Sequence, residues 1–367
     1  MILVKKLLDL LKILLITFVF SLVIDFFLGS KILKYFDAYF AKSQFYERLI
    51  RIDHPIYHHT LRENVQYTNN VSFVDTYELC TNNHGFKSKC NQVDNKNYEF
   101  AFIGDSFTEG TPIEYEDSFV GIFTEKTGYK TANLGIVSYS PKIYLSKLNY
   151  LINQGFKFDH VVVFIDISDF YDDTNFYSID ESLKVTEKNY KKKNLKRRKF
   201  LRNNFPLTNF YMFVLKKYKF TKEEKQLDNN ENPIFTDKVN LKAKWTYSKT
   251  DKIEGYDLGI REGNQIMVKH MEKLYEILSK NNIKLSLAVY PWPHQLENDV
   301  VNSIHVKIWQ EFCQNKCEKF INYFPIFFAK MNNSSYLETY KKYYFKNDPH
   351  FNKMGHKVLA AELIRSF

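Results

Sequence analysis

The chain has 367 residues, of which 44% are hydrophobic and 17% aromatic, so it can bury a sizeable core in one large domain or two modest ones. Its formal net charge is +10, but the segment from Lys184 to Arg202 holds ten basic residues and one acidic residue, Glu187, which leaves the remainder nearly neutral. A wholly basic protein would indicate nucleic-acid binding. One basic segment does not, and no nucleic-acid partner is expected.

The N-terminal segment predicts a membrane anchor. Residues Leu7 to Leu28 are almost wholly apolar, and the run reaches about 19 residues, close to the ~20 that cross a bilayer core. Lys12 and Asp25 lie near its two ends, where their side chains can reach the interface. No small-residue cleavage site follows, which favours an uncleaved anchor over residues 1–30 rather than a removed signal peptide. The alternative is a buried helix of the domain.

The four cysteines form two close pairs, Cys80 with Cys90 and Cys313 with Cys317. This pairing favours disulfides in an oxidising compartment, with free buried thiols as the alternative. Neither pair is Cys-x-x-Cys, so zinc fits poorly, and we expect no metal and no cofactor. The lysines around the apolar run give a slight bias toward a cytoplasmic N-terminus. We therefore expect a single-pass protein of the inner, cytoplasmic membrane whose main domain faces the periplasm or exterior.

Residues 31–95 are expected to form a juxtamembrane helix and loop segment. Lys31 to Ile52 has helical spacing with aromatic residues on one side. The run from His54 to His59 indicates a loop rather than a metal site. The turn-rich stretch from Cys80 to Lys87 indicates a structural loop, which a Cys80–Cys90 bridge would close.

From Tyr98 onward short apolar runs alternate with amphipathic stretches, which is typical of βα units. The expected strands are Glu99–Ile103, Lys130–Leu134, His160–Ile167, Lys284–Tyr290 and Lys319–Tyr323. The expected helices are about Ser118–Lys126, Lys142–Gln154, Glu262–Lys280, Asn298–Gln314 and Lys353–Ser366. Five parallel strands with crossover helices predict a three-layer α/β/α sandwich over residues 96–367. Residues from about 170 to 260 break the alternation and predict a basic, lid-like insertion at the edge of the site.

The apolar run from Phe100 to Ile103 ends abruptly in Gly104-Asp105-Ser106. This pattern indicates a buried parallel strand that delivers a serine to its carboxyl edge, where open α/β sheets bind ligands. Gly104 permits the tight turn that follows the strand. A serine at this edge is a useful nucleophile only when a base can remove its proton.

The carboxyl-terminal stretch Asp348-Pro349-His350 supplies such a base together with an acid. We expect Ser106 to be the nucleophile and His350 the general base, then the general acid. Asp348 would orient His350 and stabilise its imidazolium form. The two residues are two positions apart in an extended loop, so their side chains can face the same way. The alternative for Ser106 taken alone is an ordinary turn serine.

Gly104-Asp105-Ser106 and Asp348-Pro349-His350, in this order and with a helix after Gly355, resemble the first and last blocks of the SGNH/GDSL hydrolase superfamily. The last block reads Asp-x-His followed by an aromatic residue and Asn, rather than Asp-x-x-His. The sequence is most similar to the membrane-anchored bacterial branch with polysaccharide and peptidoglycan O-acetyltransferases and acetylesterases. The resemblance covers about residues 55–367 and implies a flavodoxin-like fold with acyl-transfer chemistry.

The resemblance also implies donors for the oxyanion that develops during acyl transfer. The backbone N–H of Ser106 is one, and that of Gly135 in Asn133-Leu134-Gly135 is the second. The third position usually holds an asparagine, but this sequence has Ser168 there, with a shorter side chain. Loss of one oxyanion donor typically lowers the rate by about 10²–10³.

Other polar residues follow the expected strands. Four of them are acidic and come directly after the central strand: Asp166, Asp169, Asp172 and Asp173. We expect them to form a solvated loop, with a cation site or a sugar-binding site as the alternative. Trp292, beyond the next strand, and Asp105 are further candidates for substrate binding. The basic run from Lys184 to Arg202 indicates a solvated face, with contact to lipid headgroups or an anionic polysaccharide as the alternative.

Two functions from different classes follow from these features. The first is a membrane-anchored SGNH-type serine esterase or O-acyltransferase that acts on ester-linked acyl groups, expected to be acetyl, of a cell-surface glycan. A transferase of this kind implies a separate multi-span partner that donates the acyl group, because the chain has a single candidate span. The second is a catalytically weakened glycan-binding or assembly protein that retains the fold, and a lipase ranks third. The residues do not distinguish hydrolysis from transfer.

Overall fold

The computed structural model describes residues 2–40, 50–71, 74–188 and 232–367, together with residues 200, 204–208, 211–212 and 215. Its backbone contacts divide the chain into two compact units. The first comprises Met1–Ala41 and Asn189–Glu231, and the second comprises Lys42–Lys188 and Asn232–Phe367. The middle of the expected insertion therefore groups with the N-terminal helix, and its role as a lid stays a prediction.

Helix α1 runs from Ile2 to Phe40 and contains a stretch, Leu8–Gly29, that is long and apolar enough to cross a membrane. Most side chains of this stretch are exposed, which distinguishes it from the buried core helix considered above. A helix of this kind serves as a membrane anchor or as a signal sequence. Asp25 does not reach outward as expected. It is buried, and its carboxylate accepts the backbone N–H groups of Leu207 and Thr208 at 2.8 and 2.7 Å.

The strands of the second unit form one five-stranded sheet and, among the described residues, three two-stranded sheets. In chain order they are β1 Arg51–His54, β2 His58–Leu61, β3 Gln66–Val71, β4 Val74–Cys80, β5 Asn97–Ile103, β6 Thr131–Asn133, β7 Lys157–Ile165, β8 Tyr177–Ile179, β9 Val185–Glu187, β10 Lys284–Val289 and β11 Lys319–Asn322. All five strands expected from the sequence are present, and their bounds differ from the predicted ones by up to three residues.

Helices connect these strands. After α1 they are α2 Ser106–Glu109, α3 Phe119–Thr127, α4 Pro141–Asn153, α5 Asp169–Tyr171, α6 Asp237–Ala243, α7 Ile260–Lys280, α8 Pro293–Asn298, α9 Ile304–Cys313, α10 Phe324–Asn332, α11 Tyr336–Tyr343 and α12 Lys353–Ser366. Helix α5 continues into a π-helical turn, and short 3₁₀ turns precede α3 and follow α6. The helix expected over about Asn298–Gln314 is present as α9, but it begins later, at Ile304. The chain breaks after α8, and the Ser303 hydroxyl caps α9 by accepting the N–H of His305.

The five-stranded sheet is parallel throughout, in the order β11-β10-β7-β5-β6. Two helix pairs, α4 with α7 and α3 with α12, pack against it, and the predicted layered α/β fold is confirmed. Residues Val161 to Ile165 of β7 are fully buried, as expected of a central strand. The strand order reverses at β5, because β6 lies on one side of it and β7 on the other. The carboxyl end of β5 is thus the topological switch point where open α/β sheets bind ligands.

Two antiparallel hairpins, β1–β2 and β3–β4, occupy the segment for which a helix and loops were expected. The expected helix over Lys31–Ile52 ends with α1, residues 41–49 lie outside the described residues, and β1 begins at Arg51. The side chain of His59 lies 2.9 Å from the carbonyl oxygen of Val137, and Leu61 is buried in the core. The hairpins are therefore part of the second unit and pack onto the sheet domain.

Both flanks of the expected insertion are folded. Lys242 and Asp172 form a buried ion pair of 2.5 Å, and the indole N–H of Trp245 donates to the carbonyl oxygen of Ile167 at 2.8 Å. Trp245 is 1% exposed. Because these contacts join residues before and after the middle of the insertion, residues 170–188 and 232–260 pack beside β7, and they contain short helices and the β8–β9 hairpin as well as loops.

Both cysteine pairs are disulfide-bonded, Cys80 with Cys90 and Cys313 with Cys317. The part of the chain that the structure describes holds no free cysteine. The first bridge closes the loop after β4, and the second closes the turn after α9. This is the pairing expected from the sequence.

Candidate active site

The turn between β5 and α2 presents Ser106 at the carboxyl edge of the sheet. Gly104 follows the last residue of β5, and Ser106 begins α2. A Cβ atom at position 104 would collide with the hydroxyl of Thr108 and come within 2.8 Å of the carbonyl oxygen of Phe164. The turn therefore requires glycine, and it places the serine at the switch point of the sheet.

The structure brings Ser106, His350 and Asp348 together. The Oγ atom of Ser106 lies 2.7 Å from Nε2 of His350, and Nδ1 of His350 lies 2.5 Å from Oδ1 of Asp348. Ser106 is 7% exposed, and the side chains of His350 and Asp348 are 21% and 20% exposed. The three residues form a continuous hydrogen-bonded chain that retains access to solvent.

The loop that carries His350 is held from both sides. The backbone N–H of Phe345 donates to the carbonyl oxygen of His350 at 3.0 Å, and Asn352 caps α12 just beyond it. The ring of Phe107 stacks on the imidazole with a centroid distance of 4.5 Å. Backbone bonding and ring packing together fix the imidazole over Ser106.

Neighbouring charges set the protonation of the pair. Burial alone would lower the pKa of His350, but the carboxylate of Asp348 raises it above the ordinary value. Burial alone would raise the pKa of Asp348, but His350 lowers it. The surroundings therefore favour imidazolium next to carboxylate, the state that forms when His350 takes the proton of Ser106.

The residues expected to bind the oxyanion lie at the same edge. The backbone N–H of Ser106 is at the start of α2, where N–H groups have no intrahelical acceptor. The N–H of Gly135 donates to Oδ1 of Asn133 at 3.1 Å. A role for Gly135 as oxyanion donor thus requires it to exchange this contact for the substrate oxygen. Ser168 is buried, and its hydroxyl makes no hydrogen bond with the described residues.

Asp105 and Trp292 lie behind the nucleophile rather than on an open surface. Asp105 is 2% exposed and caps α2 by accepting the N–H of Phe107 at 2.9 Å. The indole N–H of Trp292, also buried, donates to Asp166 at 2.7 Å. Trp292 therefore packs under the site, and direct contact of either side chain with a substrate is not a feature of this conformation.

The expectation of a solvated acidic loop after β7 is wrong. Its four members are 0–2% exposed: Asp166, Asp169, Asp172 and Asp173. Asp172 pairs with Lys242 at 2.5 Å, and Asp173 pairs with Lys142 and His270 at 3.6 and 3.2 Å. Asp166 and Asp169 instead turn toward Asp105. One feature of the sequence could have indicated their burial. The four residues directly follow β7, the most buried strand, at the carboxyl edge of the sheet.

Three charged side chains that no pattern in the sequence marks, Arg51, Glu109 and Lys87, fix the turn that carries Ser106. Glu109 of α2 is fully buried and accepts Arg51 at 2.5 and 2.7 Å and the N–H of Val137 at 2.9 Å. Lys87 is 1% exposed, and its ammonium donates to the carbonyl oxygens of Gly110, at 2.8 Å, and Ile113. Burial lowers the pKa of Lys87 to about 8. These contacts tie the first hairpin and the loop after β4 to α2.

A cavity of about 290 Å³ lies beside the loops that carry the triad. It is lined by residues 112–114 after α2 and residues 352–354 after His350, together with Tyr77 and Phe345. No triad residue lines this cavity, so we assign it no catalytic role.

No family model and no curated protein matches the sequence. Solved structures that match include a lipolytic protein of the G-D-S-L family from Desulfitobacterium hafniense, with 14% identity, coverage of 74% of this chain and 100% of that chain, and a TM-score of 0.38. A G-D-S-L family protein from Veillonella parvula has 10% identity, coverage of 73% and 97%, and a TM-score of 0.40. An acetylxylan esterase from Geobacillus stearothermophilus has 12% identity, coverage of 73% and 93%, and a TM-score of 0.40.

A parallel α/β sheet that presents a hydrogen-bonded Ser–His–Asp set at its switch point has the arrangement of a serine hydrolase. This is the class that the resemblance of the motifs around Ser106 and His350 to the SGNH/GDSL superfamily implies. Membership of the membrane-anchored branch of that superfamily stays a prediction.

Proposed function

We propose that this protein is a membrane-anchored serine esterase or O-acyltransferase that acts on acetyl esters of a cell-surface glycan. The observation that carries the proposal is the hydrogen-bonded chain from Ser106 through His350 to Asp348, with distances of 2.7 and 2.5 Å. A serine hydroxyl becomes a nucleophile when an oriented imidazole removes its proton.

In the first half-reaction, Oγ of Ser106 attacks the carbonyl carbon of the ester while Nε2 of His350 accepts the hydroxyl proton. The carbonyl oxygen becomes an oxyanion, which the N–H of Ser106 and the groups around Gly135 and Ser168 would stabilise. The C–O bond of the ester then breaks, and His350 returns the proton to the departing alcohol oxygen. The product is an acetyl ester of Ser106.

In the second half-reaction, His350 removes a proton from an incoming hydroxyl, whose oxygen attacks the acyl carbon. The bond from that carbon to Oγ of Ser106 then breaks, and His350 returns the proton to Oγ. Water as the acceptor gives an esterase, and a sugar hydroxyl gives a transferase. A transferase would receive its acyl group from a separate multi-span membrane protein, as the resemblance of the sequence implies. The low exposure of Ser106, 7%, supports a small acyl group such as acetyl.

The location outside the cytoplasm is supported by two features of the chain. The apolar stretch Leu8–Gly29 suits an anchor, and two disulfides suit an oxidising compartment such as the periplasm. A glycan substrate agrees with a single-span anchor that holds the domain near the cell surface, and the branch that the sequence resembles acts on such polymers.

The experiment is hydrolysis of p-nitrophenyl acetate by the wild type, Ser106→Ala and His350→Ala, with the exposed Ser182→Ala as matched control. We expect the first two variants to lose at least about 10³-fold in kcat and Ser182→Ala to equal the wild type. A fluorophosphonate should label the wild type and not Ser106→Ala. Adding a glycan acceptor and measuring acetyl transfer would then separate a transferase from an esterase.

A glycan-binding or assembly protein is the second candidate, and one observation favours it. The N–H of Gly135 is engaged by Asn133, and Ser168 stands where the superfamily usually has an asparagine, so two of three expected oxyanion donors are weakened. Equal rates in the wild type and both triad variants, with no fluorophosphonate labelling, would support this function instead.

A further inference from the structure

Three buried carboxylates lie directly behind the nucleophile. Asp105 follows β5, and Asp166 and Asp169 follow β7, with exposures of 2%, 0% and 0%. One oxygen from each lies within 4.8 Å of the others. None of the three forms an ion pair with a cationic side chain among the described residues. Three full negative charges at this spacing in a dry interior repel one another strongly, so protons must be held within the group.

The groups that face the cluster come from several elements. Neutral donors surround it: Tyr290 is 3.5 Å from Asp105, Tyr144 is 2.8 Å from Asp169, and Trp292 is 2.7 Å from Asp166. The cations nearby are Lys242, whose ammonium bonds Asp172, and the imidazole of His350. The two cations each bond a carboxylate outside the cluster, and the neutral donors stabilise a charge without cancelling it, so the mutual repulsion of three carboxylates remains.

The hydrogen bonds of Ser106 locate one of these protons. Its Oγ atom lies 2.7 Å from Nε2 of His350 and 3.2 Å from Oδ2 of Asp105. The hydroxyl has one hydrogen, and Nε2 must accept it if His350 is the base, because Nδ1 of the neutral ring donates to Asp348. If Asp105 were ionised, lone pairs of its Oδ2 would then face lone pairs of Oγ of Ser106, with no hydrogen atom between the two.

We propose that Asp105 is a neutral carboxylic acid in the resting protein, and that its Oδ2–H donates to Oγ of Ser106 and thereby directs the serine proton toward His350. Every hydrogen bond then runs in one direction, from Asp105 through Ser106 and His350 to Asp348, and each hydrogen is used once. Oδ1 of Asp105 remains free to accept the N–H of Phe107, its observed partner at 2.9 Å.

The electrostatic surroundings of Asp105 and Asp169 also favour their protonated forms. Burial, followed by the charge of Asp166, raises the pKa of Asp105 well above its ordinary value. Burial, followed by the charge of Asp166, does the same for Asp169. Oδ1 of Asp169 has no hydrogen-bond partner among the described residues, so it is the place for a second proton. Two of the three carboxyl groups then carry a proton, and the indole N–H of Trp292 donates to the third, Asp166.

Asp105 is in this account a positioning residue, and the inference rests on the proposed use of Ser106 as the nucleophile. The neutral form is active, so activity persists below the pKa of Asp105 and falls as the pH rises through it. The ionised carboxylate would compete with His350 for the serine proton. The pH profile of kcat/KM should therefore have an alkaline limb that belongs to Asp105, in addition to the acid limb of His350.

The first test is infrared difference spectroscopy of the full-length wild type, which needs no substrate. A protonated carboxylic acid gives a carbonyl band distinct from carboxylates and amides, and exchange into D₂O shifts it. We expect this band at neutral pH and its partial loss in Asp105→Asn, with the fully exposed Asp180→Asn as control. Absence of any such band in the wild type would overturn the proposal.

The second test compares two substitutions in the same protein. In Asp105→Asn the amide can donate to Oγ of Ser106 and cap α2, so we expect at least about a tenth of the wild-type kcat and no alkaline limb. Asp105→Ala removes both contacts and should lose about 100-fold in kcat, because the nucleophile is no longer held. Equal losses in both variants, or an unchanged alkaline limb in Asp105→Asn, would contradict the proposal.

Two further outcomes separate the explanations. If the infrared band is present in the wild type and is partly lost in Asp105→Asn, but the wild type has no esterase activity, the protonation of Asp105 stands and the proposed function fails. If the purified protein carries a stoichiometric divalent metal, and the band appears only after EDTA treatment, the three carboxylates hold a cation and the proposal is overturned. Because the wild-type band can also be followed by pH titration, the test does not depend on the folding of any variant.

Discussion

Oδ1 of Asp348 accepts two hydrogen bonds from the same residue, from the backbone N–H of His350 at 2.8 Å and from its imidazole Nδ1 at 2.5 Å. The backbone contact fixes the loop, and the imidazole contact fixes the ring and its tautomer, so Nε2 is left to face Ser106. The carboxylate of Asp348 and the imidazole of His350 are thus held in position by contacts within a single tripeptide, without any substrate.

The first prediction concerns the acid limb of the pH profile. Since Asp348 raises the pKa of His350 above its ordinary value of 6.5, activity should rise with pH through a midpoint above 6.5 as His350 loses its proton. Asp348→Asn removes the negative charge, so the midpoint should move to lower pH while kcat falls by up to about 10⁴-fold. The measurement is kcat/KM against pH for both proteins. An acid limb at the same pH in both would show that Asp348 does not act on His350.

The second prediction concerns the third oxyanion position. Ser168→Ala should lower kcat by about 100-fold with little change in KM, because a donor to the oxyanion acts in the transition state. Ser168→Asn introduces the longer donor usual in the superfamily and should at least preserve kcat. Ser182→Ala, on an exposed turn, is the matched control. An unchanged kcat in Ser168→Ala would show that the hydroxyl does not contact the oxyanion.

The third prediction concerns stability. Arg51→Ala leaves the carboxylate of Glu109, which is 0% exposed, without its cation, and should cost about 3–5 kcal/mol in the free energy of unfolding. Arg365→Ala breaks an exposed pair with Glu362 and should cost at most about 1 kcal/mol. Urea unfolding of the two variants and the wild type gives the comparison. Equal stabilities would mean that the first hairpin contributes little to holding α2.

The fourth prediction concerns the disulfides. Replacing Cys80 and Cys90 together by serine releases a loop of ten residues and should lower the free energy of unfolding by about 3 kcal/mol. The bridge between Cys313 and Cys317 closes a shorter loop, and its removal should cost about 2 kcal/mol. Mass-spectrometric mapping of protein from its natural cells should find both bridges. Four free thiols there would argue against a domain outside the cytoplasm.

Much of the sheet could be predicted because its strands are buried on both faces. Val161 to Ile165 of β7 and Phe100 to Ile103 of β5 form continuous apolar runs, so these two strands stand out from the amphipathic helices. The hairpins between Arg51 and Cys80 could not be predicted in this way. Their strands are rich in Asn, His and Thr and show no alternation of apolar and polar residues, and contacts of Arg51 with Glu109 and of His59 with Val137 join the first hairpin to distant parts of the chain.

The same distinction separates the predicted triad from the unpredicted carboxylates. Ser106 and His350 lie in short motifs whose residue types have a recognisable chemistry. Asp166 and Asp169 look like loop residues, because the sequence does not show that Tyr144 and Trp292 will cover them. Charge in a sequence favours a solvated position by default, and only tertiary contacts reveal a buried one.

The ion pair between Arg51 and Glu109 also bears on how this protein should be prepared for the laboratory. A recombinant fragment trimmed to the α/β core at residue 96 would keep the motifs yet discard the arginine that neutralises α2, together with Lys87. Such a fragment should aggregate or lose its nucleophile geometry. A fragment that lacks α1 but begins before Ile50, which is itself buried, retains both Arg51 and Lys87.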